Sequence, residues 1–167
     1  MQKVCIIGCP GSGKSTFSRE LHRITGLPLW HLDMLFWNAD ATSVERPIFQ
    51  ARLNEVLVTS QWIIDGNYGN TLPQRISACD SVFVFDLPAE LCLAGVEARR
   101  GKVRPDIPWI EMREDPEFSA YIRSFSTQKL PGIMDLLSKY PHVNLTVFHS
   151  HQEADDYLLQ LERALLK

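Results

Sequence analysis

The run GCPGSGKST, at residues 8–16, constrains the fold of this chain more than any other feature of the sequence. Gly8, Gly13, Lys14 and Ser15 satisfy the pattern G-x-x-x-x-G-K-[ST]. A short apolar run rich in β-branched residues precedes the glycines and an amphipathic helical pattern follows them, which is the context that the pattern requires. A glycine-rich turn with a chance lysine is the alternative, and it accounts for neither flank. We therefore predict a strand, a phosphate-binding loop and a helix.

Each residue type in this run has a chemical reason. Glycines let the backbone N–H groups turn inward around anionic oxygens, because no Cβ stands in the way. Lys14 supplies a mobile cation for β- and γ-phosphates, and the Ser15 hydroxyl is an oxygen ligand of the kind that Mg²⁺ prefers. The helix beginning near Lys14 directs its positive end to the same place. The residues predicted to bind Mg-ATP are Gly8, Pro10, Gly11, Ser12, Gly13, Lys14, Ser15 and Thr16.

Strand and helix patterns alternate along the whole chain. The apolar runs that predict strands lie at residues 3–8, 27–33, 61–65, 81–86 and 143–149. The helical patterns lie at residues 14–25, 49–57, 88–100, 118–127, 131–138 and 153–166. Such alternation is typical of an α/β fold with a parallel sheet and helices on both faces. We predict a single domain over residues 1–167, with insertions at about 34–60 and 100–117.

The composition limits the classes of partner. The chain has 167 residues and a formal net charge of -3, whereas a protein that binds DNA through backbone charge carries a basic surplus. The four cysteines show no C-x-x-C spacing, which disfavours a zinc site. No signal-peptide pattern and no apolar run of about 20 residues is present. We therefore expect a cytoplasmic protein with free thiols and no membrane or strong nucleic-acid partner.

Three aspartates follow predicted strands, and ligands of open parallel sheets collect at the carboxyl ends of strands. Asp65, in WIIDGN, resembles the second magnesium-site carboxylate of phosphate-loop proteins, although an Asp-Gly turn is the alternative. Asp33, in HLD, is a candidate for binding or deprotonating a phosphoryl acceptor, and a local cap is its alternative. We predict that Asp86 caps the following helix and that His31 packs in the core.

A group of basic residues surrounds the proline-broken segment at 101–117 and predicts a mobile cationic lid. These residues are Arg99, Arg100, Lys102, Arg104 and Arg113, with Arg123 on the next helix. A solvated, charged helix end is the alternative interpretation for Arg99 and Arg100. Arg75 is a candidate ligand for an acceptor phosphate, with an ordinary surface position as its alternative. Trp30, Phe36 and Trp37 are equally consistent with an acceptor pocket and with the core.

The segments GCPGSGKST, HLDMLFW, WIIDGNY and VFVFDLP, followed by the arginine-bearing flap, resemble the adenylate-kinase-like P-loop kinases. More closely, they resemble the bacterial proteins known as the "DNA topology modulation protein" family, from about Lys3 to the last helix. The resemblance implies a three-layer fold with a five-stranded parallel sheet, a short lid and an acceptor-side insertion. It places Arg99 or Arg100 on adenine, Arg123 at the transferred group, and the loop near Ser150 and His151 beside the base.

The sequence departs from this family in one respect. Nucleoside monophosphate kinases usually continue the Asp-Gly pair with Phe-Pro-Arg, whose arginine holds the acceptor phosphate, whereas this chain has DGNYGN. Either Arg75 substitutes for that arginine, or Asp33 serves as the acceptor-hydroxyl carboxylate, as in small-metabolite kinases such as shikimate kinase. The residues predicted to contact the acceptor are Asp33, Trp37, Asn67 and Arg75.

Two functions follow from these expectations. The first is an ATP- and Mg²⁺-dependent phosphotransferase with a small acceptor, for which a nucleoside monophosphate is slightly favoured. Its predicted catalytic residues are Lys14, Asp33, Asp65, Arg99 and Arg123, its metal ligands are Ser15 and Asp65, and Arg100 also contacts ATP. The second is a nucleotide-dependent regulatory or DNA-topology-associated ATPase without a small acceptor. The acidic balance of the chain disfavours the second function.

Overall fold

A computed structural model describes residues 1–166, so Lys167, the last residue of the predicted domain, lies outside the described part. The described chain contains a five-stranded sheet in the order β2-β3-β1-β4-β5, and every pair of neighbours is parallel. The strands are β1 (Lys3–Gly8), β2 (Leu29–His31), β3 (Trp62–Asp65), β4 (Ser81–Phe85) and β5 (Asn144–Phe148). The predicted α/β class with a five-stranded parallel sheet is therefore confirmed.

Eight α-helices connect and flank these strands in residues 1–166. They are α1 (Lys14–Thr25), α2 (Leu32–Phe36), α3 (Arg46–Leu57), α4 (Leu72–Ala78), α5 (Ala89–Arg99), α6 (Pro116–Ser124), α7 (Leu130–Ser138) and α8 (His151–Leu165). A 3₁₀ turn at Gly69–Thr71 precedes α4, and a π-helical turn at Phe125–Lys129 joins α6 to α7. Within this part of the chain, no helix combines the length and the apolar character needed to cross a membrane.

The central strands are buried along nearly their whole length because helices cover both faces of the sheet. Phe17 of α1 packs edge-on against Phe83 and Phe85 of β4, with ring centroids 5.1 Å and 5.3 Å apart. Tyr157 of α8 packs on Phe83 from the same side, at 5.0 Å. These aromatic contacts fix α1 and α8 against the sheet, and α1 begins at the phosphate loop.

Several element boundaries differ from the sequence prediction. Helix α4 was not predicted, because it is only seven residues long and has a proline in its first turn. The predicted break between residues 127 and 131 is bridged by the π-helical turn. Helix α8 starts at His151, where the Ser150 hydroxyl accepts a hydrogen bond from the N–H of Glu153 at 3.2 Å. Strand β2 ends at His31, so Asp33 lies in the first turn of α2.

Candidate active site

A cavity of about 670 Å³ opens at the carboxyl end of the sheet. The phosphate loop, the end of β3, the first turns of α8 and the segment of residues 100–115, called the lid segment below, all contribute to its wall. This position is where the strand order reverses around β1, the usual ligand crevice of an open parallel sheet. The residues that carry chemistry at this cavity therefore come from elements far apart in the sequence.

Steric contacts force glycine at two positions of the phosphate loop. Gly8 has φ +148°, and a Cβ there would lie 2.5 Å from the carbonyl oxygen of Phe85. Gly11 has φ +80°, and its Cβ would lie 2.0 Å from the carbonyl oxygen of Cys92 in α5. The loop backbone thus packs directly on β4 and α5, and the space inside it stays free of side chains. This cradle fits the phosphate groups of a nucleotide.

The start of α1 is open to an anion. Its N-cap residue, Gly13, is left-handed, no side chain caps the helix, and no acidic residue occupies its first turn. The Lys14 ammonium donates to the carbonyl oxygen of Cys9 at 2.8 Å, so it lies over the loop. Burial lowers the pKa of Lys14, while the carboxylate of Asp65 opposes that shift. A polyphosphate bound here would contact both the helix dipole and this cation.

Ser15, Asp65 and His31 form a hydrogen-bonded group beside the phosphate loop. The Ser15 hydroxyl donates to Oδ2 of Asp65 at 2.7 Å, and Nδ1 of His31 lies 2.8 Å from the same oxygen. Because a carboxylate only accepts, the His31 nitrogen must be the donor. The other carboxylate oxygen, Oδ1 of Asp65, is buried without a partner in residues 1–166.

An unpartnered carboxylate oxygen beside a serine hydroxyl fits a hydrated Mg²⁺ ion. Within the described residues, no cluster of three or more His, Cys, Asp or Glu side chains forms a metal cage. Mg²⁺ rarely needs one, because it keeps several waters and takes its other ligands from substrate phosphates. The donor set of Ser15 and Asp65 therefore suits Mg²⁺ held jointly with a nucleotide.

The sequence predicts a packed histidine at position 31, and the side chain is indeed only 10% exposed. Its ring also borders the cavity through the contact with Asp65. The sequence did not indicate this contact, because Asp65 lies 34 residues away along the chain.

Asp33 also borders the cavity, paired with a tyrosine. The Tyr68 hydroxyl donates to Oδ1 of Asp33 at 2.5 Å. Burial raises the pKa of Asp33, and the hydrogen bond from Tyr68 partly lowers it again. Burial and the neighbouring Asp33 charge raise the pKa of Tyr68, so its hydroxyl keeps its proton. Tyr68 was missed by the sequence analysis because nothing local indicates its partner.

Asn67 joins the two sides of the cavity. Its side-chain oxygen accepts from the N–H of Gly8 at 3.1 Å, and its amide nitrogen donates to the carbonyl oxygen of Gly8 at 2.8 Å. The side chain thus pairs with the end of β1 much as a neighbouring strand would. The predicted acceptor residue Asn67 does border the cavity, next to Tyr68.

Ion pairs brace the lid segment internally and connect it to α5. Within the lid, Arg104 contacts both carboxylate oxygens of Asp106 and also lies 2.8 Å from Glu111. Arg99, at the end of α5, lies 3.0 Å from the same Glu111 and so links the lid to that helix. Burial opposes ionisation of Asp106, but the hydrogen bond and charge of Arg104 hold the pKa of that carboxyl below its usual value. Of this network, Arg99, Arg104 and Asp106 border the cavity.

Besides Gly8 and Ser12 of the loop itself and Arg75, three predicted site residues lie away from the cavity wall. Arg100 pairs with Glu97 at 2.6 Å along the surface of α5. Arg123 is exposed on α6, because the buried side of that helix carries Ile122. Trp37 packs edge-on against Phe36 and Trp109, with ring centroids 5.0 Å and 5.9 Å apart.

Arg75 also has a position different from the predicted one. Its side chain is 0% exposed and donates to the carbonyl oxygens of Gly66, at 3.0 Å, and of Asn67. It further bonds the Thr71 hydroxyl at 3.1 Å. These contacts use its donors to fix the loop after β3, which carries Asn67 and Tyr68, and none points into the cavity.

The prediction that Asp86 caps the helix after β4 is wrong. The N-cap of α5 is Pro88, and no side chain caps that helix. The Asp86 carboxylate instead lies 3.4 Å from Nδ1 of His149. This contact ties the end of β4 to the loop after β5.

The first turn of α8, where the family resemblance predicts the nucleotide base, also borders the cavity. Nε2 of His151 lies 3.1 Å from the carbonyl oxygen of Ser12 in the phosphate loop. Asp155 and Leu158, one and two turns further along α8, continue the same wall. The cavity is thus long enough to extend from α8 across the phosphate loop to Asp33.

No protein-family model and no curated protein matches this chain. Solved structures do match. The shikimate kinase of Acinetobacter baumannii, in complex with shikimate, is 17% identical, with 99% of this chain and 93% of that chain covered at a TM-score of 0.63. The shikimate kinase of Bacteroides thetaiotaomicron is 14% identical, with 98% of each chain covered at a TM-score of 0.59. At these identities the likeness shows a shared fold, the fold of the two shikimate kinases.

Proposed function

We propose that this chain is a kinase that transfers the γ-phosphoryl group of Mg-ATP to a hydroxyl of a small acceptor. The observation that carries the proposal is the convergence on one cavity of the phosphate loop, the Ser15–Asp65 pair and Asp33. The similarity of fold to two shikimate kinases, one of them in complex with shikimate, supports it, because open parallel sheets bind their ligands in the crevice at the carboxyl ends of the strands.

The reaction would be a single displacement. The acceptor hydroxyl oxygen forms a bond to the γ-phosphorus while the bond from that phosphorus to the β–γ bridging oxygen breaks, and ADP leaves with the electron pair. Asp33 accepts the hydroxyl proton, and its raised pKa suits a general base. The hydrogen bond from Tyr68 holds this carboxylate in one orientation.

The remaining side chains would bind and neutralise the phosphates. Lys14 would exchange the Cys9 carbonyl for β- and γ-phosphate oxygens, and Arg99 lies at the same cavity on the opposite wall. Ser15 and Asp65 are the residues that would hold Mg²⁺. When bound, Mg²⁺ lowers the charge repulsion between phosphate oxygens and the incoming hydroxyl oxygen. The lid segment would exclude water during the transfer.

The more specific predictions made from the sequence, which concern the acceptor, the family and the cellular compartment, differ in how well they are supported. A nucleoside monophosphate acceptor loses its predicted phosphate ligand, because Arg75 is fully buried. The sequence resemblance is the only support for membership of the "DNA topology modulation protein" family and for an ATPase role at DNA. The net charge of -3 gives the chain no basic surplus with which to bind DNA. We place the single kinase domain in the cytoplasm, where ATP is available and where the four free cysteines stay reduced.

The test is ADP formation with Mg-ATP in the presence of hydroxylated metabolites, nucleosides and nucleoside monophosphates, with Lys14→Ala as the blank. One acceptor should stimulate ADP formation strongly, and Asp33→Asn should slow that transfer far more than it weakens ATP binding. Slow hydrolysis that no acceptor stimulates would favour the regulatory ATPase. ATP affinity that Lys14→Ala leaves unchanged would remove the phosphate-loop assignment itself.

A further inference from the structure

Negative charge is concentrated at the acceptor end of the cavity. Asp33, Asp65 and Asp106 all border it, from α2, β3 and the lid segment respectively. They are close enough that the charges of Asp65 and Asp106 both help to raise the pKa of Asp33, after burial. Asp106 is only 4% exposed although it belongs to an irregular segment. Its carboxylate is therefore a fixed part of the cavity wall and not a mobile surface charge.

The cations at this end are already paired. Arg104 is shared between Asp106 and Glu111, and its side chain is 12% exposed. His31 donates to Asp65. Arg99 lies 3.0 Å from Glu111, Lys14 is bonded to the Cys9 carbonyl and would contact the ATP phosphates in the proposed reaction, and Arg75 below the floor is engaged by loop carbonyls. An anionic group on the acceptor would therefore compete with a carboxylate or a phosphate for each of these cations.

We propose that the phosphoryl acceptor is uncharged or carries an amine, as a nucleoside, a cyclic polyol or an amino sugar does, and bears no phosphate or carboxylate. This inference rests on the proposed kinase function. An acceptor anion placed beside the carboxylates of Asp33 and Asp106 is unfavourable, whereas hydroxyl and ammonium groups gain hydrogen bonds from the same carboxylates. In the lid segment, the Asp106 carboxylate, which Arg104 holds at the wall, is the group that disfavours anionic acceptors.

Matched pairs of acceptors test the inference directly. One pair is adenosine and adenosine 5′-monophosphate, and the other is methyl shikimate and shikimate, so each pair differs mainly in one anionic group. ADP formation with Mg-ATP gives kcat/KM for each, with Lys14→Ala as the blank. In at least one pair, kcat/KM for the uncharged member should be about tenfold or more higher than kcat/KM for its anionic partner.

A lid variant supplies the second measurement. Asp106→Asn removes one carboxylate from the wall and leaves Arg104 with Glu111 as its only anionic partner among the described residues, so it should raise kcat/KM for the anionic members about tenfold relative to the uncharged ones. Asp135→Asn is the matched control, because Asp135 is exposed on α7 and paired only with Lys139. The control should leave the preference unchanged.

The outcomes separate this inference from the proposed function. Lys14-dependent transfer to an anionic member at equal or higher kcat/KM overturns the inference and leaves the kinase assignment standing. If no acceptor in the panel stimulates ADP formation, the inference is overturned as well. If ATP binding is also insensitive to Lys14→Ala, the proposed function fails together with the inference.

Discussion

The phosphate loop and the lid segment meet at one cavity but are held in place by different forces. At Gly8 and Gly11, backbone atoms of β4 and α5 leave no room for a Cβ, so the loop shape follows from steric contact. The lid segment has no helix or strand between residues 102 and 115, and it contacts the rest of the protein through the ion pair of Glu111 with Arg99 and the packing of Trp109 on Trp37. Steric constraints on a loop backbone leave glycines in the local sequence, whereas such contacts between distant residues leave no local pattern.

The largest expected effect is on the phosphate loop side. Lys14→Ala should lower kcat for ATP turnover about a thousandfold, because it removes a cation that faces developing charge in a dry site. Lys139→Ala is a matched control, since that ammonium is exposed and pairs with Asp135. Steady-state ADP formation measures both, and a similar loss in the two variants would mean that the effect is not specific to the loop.

Arg75→Leu should come next, as a loss of stability. The carbonyl oxygens of Gly66 and Asn67 would lose their partner inside the protein, which costs about 3 kcal/mol in the free energy of unfolding. Arg46→Leu, at the exposed start of α3, should change stability by less than about 0.5 kcal/mol. Urea unfolding measures both. If Arg75→Leu instead left stability unchanged and raised the KM for the acceptor, Arg75 would regain the role predicted from the sequence, that of a ligand for the acceptor.

A third change probes the contact of the phosphate loop with α5. A Cβ at Gly95 would lie 2.1 Å from the carbonyl oxygen of Gly11, so Gly95→Ala should push the loop away and cost about 1–3 kcal/mol. Gly132→Ala, in α7, has open space around its Cβ and should be neutral or stabilising by up to about 1 kcal/mol. Thermal unfolding with and without Mg-ATP would show whether the Gly95 variant also binds nucleotide more weakly.

The smallest expected effect is a shift in pH dependence. The hydrogen bond from Tyr68 lowers the pKa of Asp33, so Tyr68→Phe should raise that pKa further. The active carboxylate form is then lost at a higher pH as the solution is acidified, and the acid limb of kcat/KM moves upward. Tyr140→Phe, whose ring packs beside His142 and away from the cavity, is the control. An unchanged limb in Tyr68→Phe would argue against Asp33 as the base.

The sequence was sufficient for the features that local patterns determine. The strand, the glycines and the amphipathic helix α1 predicted both the fold class and the nucleotide side of the cavity, because each depends on neighbours in the chain. The boundaries missed were those set by tertiary packing, such as the short helix α4 and the π-helical turn at Phe125–Lys129.

The acceptor side was less predictable for a physical reason. Arg75 has the same residue type whether it binds a phosphate or fixes a loop, and only its burial in the fold distinguishes the two positions. Tyr68 matters because it bonds Asp33, which is 35 residues away in the sequence. Asp106 matters because it bonds Arg104, which is two residues away. The first of these pairs follows from the arrangement of β3 and α2, which no local pattern encodes.

The side-chain amide of Asn67 has a thermodynamic consequence. It is bonded to both polar groups of Gly8, and the next residue, Tyr68, is bonded to Asp33, so an unbroken series of contacts runs from the phosphate loop to the acceptor carboxylate. In the proposed kinase, an acceptor that shifted Asp33 would act on the phosphate loop through these bonds. By linkage, the factor by which an acceptor alters the Kd for ATP must equal the factor by which ATP alters the Kd for that acceptor. The two substrates of the proposed reaction would then be effectors of each other's affinity, with Asn67 on the path between them.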